Sequence, residues 1–293
     1  MKKINYSIVV LIISLTLILF VKIYPFINMI ISSFYESNGF ELGKFVGLDN
    51  YIRVINDSDF FLLFKNTLLF SLYVPIQLII CLNIANFLYM SKHKNILIKF
   101  LILIPLFLSS TIVSVVYGFL FSYDGPINSF FSNIITNFEN ILWLSKPKFS
   151  IPIIIICIIW MNIGWQTYIY LGAMKSINKN IFLAAKIDGA NLLKRLFLLY
   201  SNIKPTVLFS FVTNILWSFT CLFPFIHVLT KGGPGYDTTT IDYMIYLKGF
   251  ITNDFGFACA LAIIVIIIIL IIYFISRKIV YGKDGRYNNE KII

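Results

Sequence analysis

Long uninterrupted runs of apolar residues dominate the chain and alternate with short polar segments. Six of them reach the roughly 20 residues that a helix needs to cross a bilayer, and they cover 6–31, 66–89, 100–121, 151–174, 205–229 and 256–275. We therefore predict an all-α membrane protein with six transmembrane helices in a single domain over 1–293. The first run is predicted to be an uncleaved helix and not a signal peptide, because no small-residue cleavage site follows it and five more runs do.

The composition also indicates a membrane protein. Hydrophobic residues make up 59% of the 293 positions and charged residues 13%, with a mean hydropathy of +0.86, whereas a soluble domain carries about 25% charged residues. A net charge of +11 can indicate nucleic-acid binding. Here the cations lie in short segments between apolar runs, so no nucleic-acid partner is expected.

Lysine and arginine are divided unequally between the two sets of loops. Of the 24 in the chain, 16 lie at the two termini, in the segment 92–99 and in the loop 175–204, and only three of the 13 acids lie there. Cytoplasmic loops are enriched in Lys and Arg. Both termini are therefore predicted to be cytoplasmic.

The loop 175–204 has features of its own, because a plain helix–helix connection takes about 2–8 residues. Residues 181–187 are predicted to form a short amphipathic helix that Asn180 caps and that Asp188 and Gly189 end, since Gly accepts the positive φ of a sharp turn. Such a helix suits insertion into a cleft of another protein, and an equally open alternative is a helix lying on lipid headgroups. The small residues that favour the cleft are Ala184, Ala185, Gly189 and Ala190.

A segment rich in Gly and Pro, residues 229–240, lies on the predicted outer side. Regular structure is not expected within it, and a new helix capped by Asp237 or a following Thr is predicted through about residue 250. Nucleotide binding is not expected, because the P-loop pattern is absent and no strand precedes the segment. The candidate motif residues are Thr230, Gly232, Gly233, Pro234 and Gly235.

Two predicted spans carry polar side chains at helical spacing. Amide groups can hydrogen-bond to sugar hydroxyls and an indole can stack on a sugar ring, so these positions predict a path for a neutral polyol. The alternative is that they hold neighbouring helices together, as polar residues in membrane helices commonly do. The candidates are Asn162 and Gln166 in the fourth run, and Asn214, Trp217 and Ser218 in the fifth.

No catalytic residue, metal site or cofactor is expected. No acid lies deep in a predicted span, and the cysteines Cys81, Cys157, Cys221 and Cys259 lack the close spacing of metal ligands. The main alternative function is an ion-gradient-driven secondary carrier for a small polar solute. Such a carrier normally places ionisable residues near the membrane midplane.

The sequence resembles the permease subunits of binding-protein-dependent ABC importers of the carbohydrate-uptake class, which includes the maltose and glycerol-3-phosphate importers. The motifs that carry the resemblance lie at 45–51 in the first outer loop, at 184–190 and at 229–235. Two positions depart from the family pattern. Leu183 stands where the family usually has a Glu, and Asn202 or a neighbour stands where it has a Pro.

The resemblance implies the type I ABC importer permease architecture in the lipid of a bacterial inner membrane. It also implies a second, non-identical permease, a dimer of cytoplasmic ATPases, an extracytoplasmic substrate-binding protein and a sugar substrate. ATP hydrolysis is expected on the separate ATPase, so this subunit is not expected to be an enzyme. The resemblance makes 175–204 a coupling loop and assigns docking on the ATPase to Ala184, Ala185, Asp188, Gly189 and Ala190. The missing Glu removes a charge that could pair with a cation of the ATPase.

Overall fold

The structure is a computed structural model that describes residues 6–91, 96–178, 180, 181, 187, 189 and 191–281, and this part of the chain is predominantly helical. The α-helices are α1 (Tyr6–Ile18), α2 (Tyr24–Ser32), α3 (Asp49–Ile55), α4 (Phe60–Phe70), α5 (Tyr73–Met90), α6 (Ile96–Leu103), α7 (Ser110–Leu120), α8 (Pro126–Ile134), α9 (Pro147–Ser176), α10 (Leu192–Asn202), α11 (Lys204–Ser218), α12 (Phe223–Leu229), α13 (Ile241–Tyr246) and α14 (Phe255–Tyr281). Irregular helical turns follow α1, α6 and α13, and they are Leu19–Ile23 (π), Ile104–Phe107 (3₁₀) and Leu247–Ile251 (π). A short antiparallel hairpin joins β1 (Tyr35–Ser37) and β2 (Leu42–Phe45), with Tyr35 opposite Phe45.

The predicted membrane-spanning, helical architecture is confirmed. Four helical stretches are long and apolar enough to cross a membrane, namely Val10–Ser32, Phe60–Met90, Pro147–Ser176 and Phe255–Lys278. Two helix pairs meet the same test only when joined across a bend, and they are Ile96–Phe107 with Ser110–Leu120, bent by 99°, and Leu196–Asn202 with Lys204–Ser218, bent by 62°. The described residues therefore hold four to six candidate spans.

The third run, predicted as one helix over 100–121, is instead broken near its middle. Pro105 has no backbone N–H to donate, and the helix tightens there into the 3₁₀ turn. Leu108 is extended, with φ −92° and ψ 143°. The side chain of Ser109 then starts α7 by accepting a hydrogen bond from the N–H of Ile112 at 3.2 Å.

The fifth run, predicted as one helix over 205–229, also divides. It contains α11 and α12, and α11 ends at Ser218 while α12 begins at Phe223. Pro224 lies in the first turn of α12, where a missing N–H breaks no helical hydrogen bond. The division places a turn between the polar residues of α11 and the Gly-rich segment that follows α12.

The described residues belong to two compact units. Unit 1 comprises those of Met1–Phe61 and Met244–Ile268, and unit 2 those of Leu62–Tyr243 and Ile269–Ile293.

A buried asparagine organises unit 1. Asn50 is 1% exposed, and its side-chain amide donates to the carbonyls of Ser33 and Tyr35, both at 3.0 Å. The backbone at Gly256 approaches the Tyr35 carbonyl so closely that a Cβ atom there would collide with it. The start of α14 can pack on the hairpin only because this position is Gly.

Unit 2 is built around α5 and α9, which pack against each other, and α11 contacts both. The end of α6 and the turn after it pack on α9, and at Gly164 a Cβ atom would collide with the carbonyl of Ile102 on α6. This close backbone approach again requires Gly. The fully buried large side chains of unit 2 include Phe70, Tyr73, Ile154, Ile158, Tyr170, Met174, Phe219 and Phe225.

Candidate functional site

The two predicted polar stripes meet where α9 and α11 pack together. The side-chain amide of Asn214 on α11 donates to Oε1 of Gln166 on α9 at 3.0 Å, and also to the carbonyl of Ser210 at 2.7 Å. Gln166 is 2% exposed, whereas Asn214 is half-buried. The structure therefore joins these two predicted residues directly.

The same pair is tied to α5 through Tyr73, a residue that the sequence analysis missed. The hydroxyl of Tyr73 donates to the carbonyl of Asn214 at 2.9 Å, and the Ser218 hydroxyl donates to that carbonyl at 3.0 Å. The ring of Trp217 meets Tyr73 edge-on at 5.9 Å between centroids and Phe225 at 6.2 Å. A Tyr within an apolar run is the signal that could have identified Tyr73, because its buried hydroxyl needs a partner.

Asn162 lies outside this network. Its amide donates to the carbonyl of Ile158, one turn earlier on α9, at 3.0 Å, and the side chain is half-buried. The predicted stripe therefore divides into a buried pairing at Gln166 and a half-exposed position one turn away. Such a half-exposed amide keeps donor and acceptor capacity for other groups.

Several buried polar atoms on α9 and α11 have no partner in full hydrogen-bonding geometry among the described residues, and they include Nε2 of Gln166, Oγ1 of Thr167 and Oγ of Ser210. Gln166 and Ser210 interact with the Tyr170 hydroxyl, and Thr167 interacts with the Cys81 thiol on α5. Buried polar groups are paired in most proteins, so the contact between α9 and α11 carries polar side chains whose hydrogen-bonding capacity is only partly used.

The Gly-rich segment folds into a tight loop that is held together by hydrogen bonds from its own threonine hydroxyls. Thr238 Oγ1 bonds to the Thr230 hydroxyl at 2.8 Å and donates to the carbonyl of Gly233 at 2.9 Å, and Thr239 Oγ1 donates to the Gly232 carbonyl at 3.0 Å. Gly232 has φ +80°, and a Cβ atom there would collide with Oγ1 of Thr239. Gly is required at this position by both backbone conformation and space.

Two other glycine-motif positions differ from Gly232. Gly235 also has a positive φ, +54°, but a Cβ atom would meet nothing within 4 Å. The peptide bond between Gly233 and Pro234 is cis.

This Gly-rich loop is hydrogen-bonded to two side chains of α4 that sequence reasoning did not identify. The buried amide of Asn66 donates to the carbonyls of Tyr236 at 2.9 Å and Thr239 at 3.0 Å. The hydroxyl of Thr67 accepts from the N–H of Ile241 at 3.1 Å. The motif is therefore built as a rigid structural element in which the threonine hydroxyls and loop carbonyls are used internally.

Of the five predicted coupling residues, the described part of the chain contains Gly189, whereas Ala184, Ala185, Asp188 and Ala190 lie outside it. Gly189 has φ +72°, as predicted for a sharp turn, and a Cβ atom there would meet nothing within 4 Å of the described residues. Ile181 and Ile187 are helical.

Asn180, which was predicted to cap the short helix in this loop, is itself helical, and its N–H donates to Oδ1 of Asn178 at 3.0 Å. Asn191 caps α10 by accepting from the N–H of Lys194 at 2.9 Å. The sequence alone therefore does not show which Asn is the cap, because any Asn within a few residues before a helical pattern can accept a hydrogen bond from a free backbone N–H.

Metal binding has no support in the described ranges, where no three His, Cys, Asp or Glu side chains cluster. The four cysteines are free thiols, and three of them are buried.

Comparison with known proteins decides the family. No family model matches the chain. Over 238 residues, which are 80% of this chain and 79% of the relative, it is 32% identical to the lactose transport system permease protein LacF of Rhizobium radiobacter. The chain belongs to the family of ABC importer permeases. It is also 28% identical over 246 residues to the sn-glycerol-3-phosphate transport system permease protein UgpA of Yersinia enterocolitica, covering 81% of this chain and 82% of that one.

Solved structures show the same fold for this permease. A chain of a bacterial ABC transporter involved in the import of the acidic polysaccharide alginate matches with a TM-score of 0.80 at 22% identity, over 94% of this chain and 96% of that one. A second match, with a TM-score of 0.79, comes from the alginate transporter in complex with an alginate pentasaccharide-bound periplasmic protein.

Family membership confirms that the permease is a multi-pass protein of the inner membrane. Its relatives are transport permeases and not enzymes.

Proposed function

We propose that this permease carries a sugar or related polyol across the membrane, after delivery by an extracytoplasmic binding protein, as one subunit of an ATP-driven importer. The observation that carries the proposal is the 32% identity, across 80% of the chain, to a lactose transport permease. Residues 1–293 would form one transmembrane domain with six spans, two of them bent, and with both termini in the cytoplasm. The excess of Lys and Arg in the segments assigned to the cytoplasm supports this orientation.

The route for the substrate is proposed to run along the contact between α9 and α11. The amides of Gln166 and Asn214 are bound to each other here, so neither is free to bind sugar while the two helices are in contact. Separation of the helices would release one donor and one acceptor, and would also uncover Nε2 of Gln166, which makes no hydrogen bond of full geometry with the described residues. The half-exposed Asn162 and Trp217 and the hydroxyl of Ser218 would complete a neutral polar surface of the type that binds polyols.

The loop 175–204 is proposed to couple this motion to ATP hydrolysis. The turn at Gly189, with a positive φ and no described residue within 4 Å of a Cβ atom placed there, suits a segment that enters a cleft of a partner. Ala184, Ala185, Asp188 and Ala190 would share this role, by resemblance to the family signature. Leu183 in place of the usual Glu would leave the docking to apolar and small residues on the neighbouring turn.

The partners follow from the same proposal. A second permease would complete the transmembrane pathway, and a dimer of cytoplasmic ATPases would supply the energy, so that ATP hydrolysis takes place on a separate subunit. An extracytoplasmic binding protein would deliver the substrate. The structural relative that was solved together with a periplasmic protein supports this partner.

Affinity purification of the tagged chain from its native membrane in a mild detergent tests the proposal. We expect an ATPase and a second multi-span protein to co-purify, and ATP hydrolysis by the complex to rise when the loaded binding protein is added. If the chain purifies alone and drives uptake into proteoliposomes from an ion gradient, it is a secondary carrier and the proposal is wrong.

A further inference from the structure

The residues that connect α7 to α9 fold into a small module around one asparagine. Asn128 on α8 is fully buried, and its amide nitrogen donates to the carbonyls of Tyr123 and Ile141, both at 2.9 Å. Its carbonyl oxygen accepts from the N–H of Ile141 at 3.2 Å and from the indole N–H of Trp143 at 2.8 Å. A single side chain thus holds both the entry and the exit of the module, which fixes the orientation of α8.

The position of α8 relative to α7 follows from the tight turn that precedes it. A Cβ atom at Gly125 would lie 2.6 Å from the carbonyl oxygen of Phe119 and 2.8 Å from that of Leu120, and α8 begins at the next residue, Pro126. The first turn of α8 is therefore packed on the last turn of α7, and the two helices are in contact. Because α7 belongs to a helix pair that is long and apolar enough to cross a membrane when it is joined across its bend, α8 lies beside the end of a candidate span.

The surface of α8 divides into three sectors. Asn128 and Phe131 face the module, where the Phe131 ring lies 5.6 Å from that of Phe138. A second sector is apolar and exposed, with Phe130 at 61% and Ile134 at 64%, one turn apart. The third sector is polar, exposed and uncharged, and consists of Ser129, Ser132 and Asn133.

The charges of the connection lie outside α8. No residue of α8 itself is charged, and the exposed acids Asp124 and Glu139 and the exposed cations Lys146 and Lys148 lie before or after it. A helix with an apolar sector opposite a polar one, joined to the end of a membrane-spanning segment, suits the boundary between acyl chains and headgroups. A docking surface for a soluble protein would have to stay in water whenever that protein is absent, which is unfavourable for two neighbouring large apolar side chains.

We propose that α8 lies in the membrane interface, with Phe130 and Ile134 inserted among the lipid acyl chains and with the polar sector in water. The proposal rests on the membrane disposition given under Proposed function, but not on the substrate or on ATP coupling. The module anchors the α7–α9 connection to the bilayer.

Fluorescence quenching in proteoliposomes of phosphatidylethanolamine and phosphatidylglycerol tests this. The variant Phe130→Cys is labelled with a polarity-sensitive nitrobenzoxadiazole probe, and Ser132→Cys, on the polar sector of the same helix, is the matched control. Both are made in a full-length chain with Cys221→Ser, because Cys81, Cys157 and Cys259 are buried. We expect the probe at 130 to emit at shorter wavelength and to be quenched several-fold more by acyl-chain nitroxides than by iodide, and the probe at 132 to show the reverse order.

Equal quenching of both probes by iodide would overturn the proposal. Protection of the probe at 130 from both quenchers would also overturn it, because the side chain would then be covered by protein. If that protection appeared only with the binding protein added, the face would be a docking site. The readout needs no substrate or ATP, so a failure of the importer assignment in the ATPase assay would leave this result standing.

Discussion

The carboxylate of Asp242 accepts a hydrogen bond from the backbone N–H of Phe223 at 2.6 Å. Phe223 is the first residue of α12, so a side chain 19 positions later caps that helix. The other carboxylate oxygen accepts from the Thr240 hydroxyl at 2.5 Å and from the N–H of Tyr243 at 3.0 Å. One acid therefore caps both α12 and its own helix α13.

Asp242 should make the stability of the permease depend on pH. Burial disfavours its charged form and raises the pKa of its carboxyl group above the usual 3.8, although its hydrogen bonds from Thr240, Phe223 and Tyr243 act in the opposite direction. Between 3.8 and the raised pKa, the folded state holds a proton that the unfolded state has lost. The stabilisation from this proton is present at low pH and is lost as the pH rises through the folded-state pKa.

We therefore expect the melting temperature of the wild type to rise relative to that of Asp242→Asn as the pH falls from about 7 towards about 4. Thermal unfolding of the two purified chains in the same detergent measures this difference. The prediction fails if the difference between the two chains is constant over this range or grows with rising pH.

Gly232→Ala should destabilise the permease more than Gly235→Ala. Both positions have a positive φ, which costs a residue with a Cβ atom about 1–2 kcal/mol, but only at Gly232 does the added carbon collide with Oγ1 of Thr239. Thermal unfolding of both variants provides the comparison, with Gly235→Ala as the matched control for backbone strain alone. Equal losses would show that the close packing of the loop at Gly232 contributes nothing.

Asn214→Leu should slow transport while the subunits still assemble, because it removes the amide from the proposed substrate route. It also removes the hydrogen-bond donor of Oε1 of Gln166. A double-mutant cycle of unfolding free energies, with Asn214→Leu, Gln166→Leu and the double variant, should therefore give a coupling energy of about 0.6 kcal/mol, which is typical of hydrogen bonds between membrane helices. Asn162→Leu is the control without coupling, because that amide bonds only to its own helix. Normal uptake kinetics in Asn214→Leu would remove this residue from the route.

Gly189→Asp should leave the protein in the membrane but abolish substrate-stimulated ATP hydrolysis by the complex. The turn has φ +72°, and no described residue lies within 4 Å of a Cβ atom placed there, so the change adds a charged side chain to the surface that the partner meets. Gly189→Asn is the control without the charge, because Asn and Asp tolerate a left-handed conformation alike, and it should keep most of the stimulation. Full stimulation in Gly189→Asp would show that this turn does not couple the subunits.

The spans could be predicted because about 20 apolar residues in sequence have few alternatives to a membrane helix. The breaks at Leu108 and after Ser218 could not, because Pro105 and Pro224 are compatible with continuous membrane helices when other groups satisfy the backbone. The hydrogen bond between Gln166 and Asn214 joins two stripes of polar residues that were visible in the sequence.

The remaining contacts of the site depend on packing between distant segments. The bond from Tyr73 to Asn214 joins residues 141 positions apart, and no periodic pattern indicates it. The role of Asp242 was hidden for the same reason, because its position among polar loop residues looks like that of any acid at the start of a helix.

The hydrogen bonds from Asn66 to the Gly-rich loop can form only late in the biosynthesis of the chain. Its two acceptors, the carbonyls of Tyr236 and Thr239, lie 170 and 173 residues further along the chain. When α4 leaves the ribosome, neither acceptor has been translated, so the amide must use water or another temporary partner until the fifth run and the segment after it emerge. The hydrogen bonding of α4 at Asn66 is therefore completed only late in synthesis, and a chain truncated before residue 239 would carry its early spans without these two bonds.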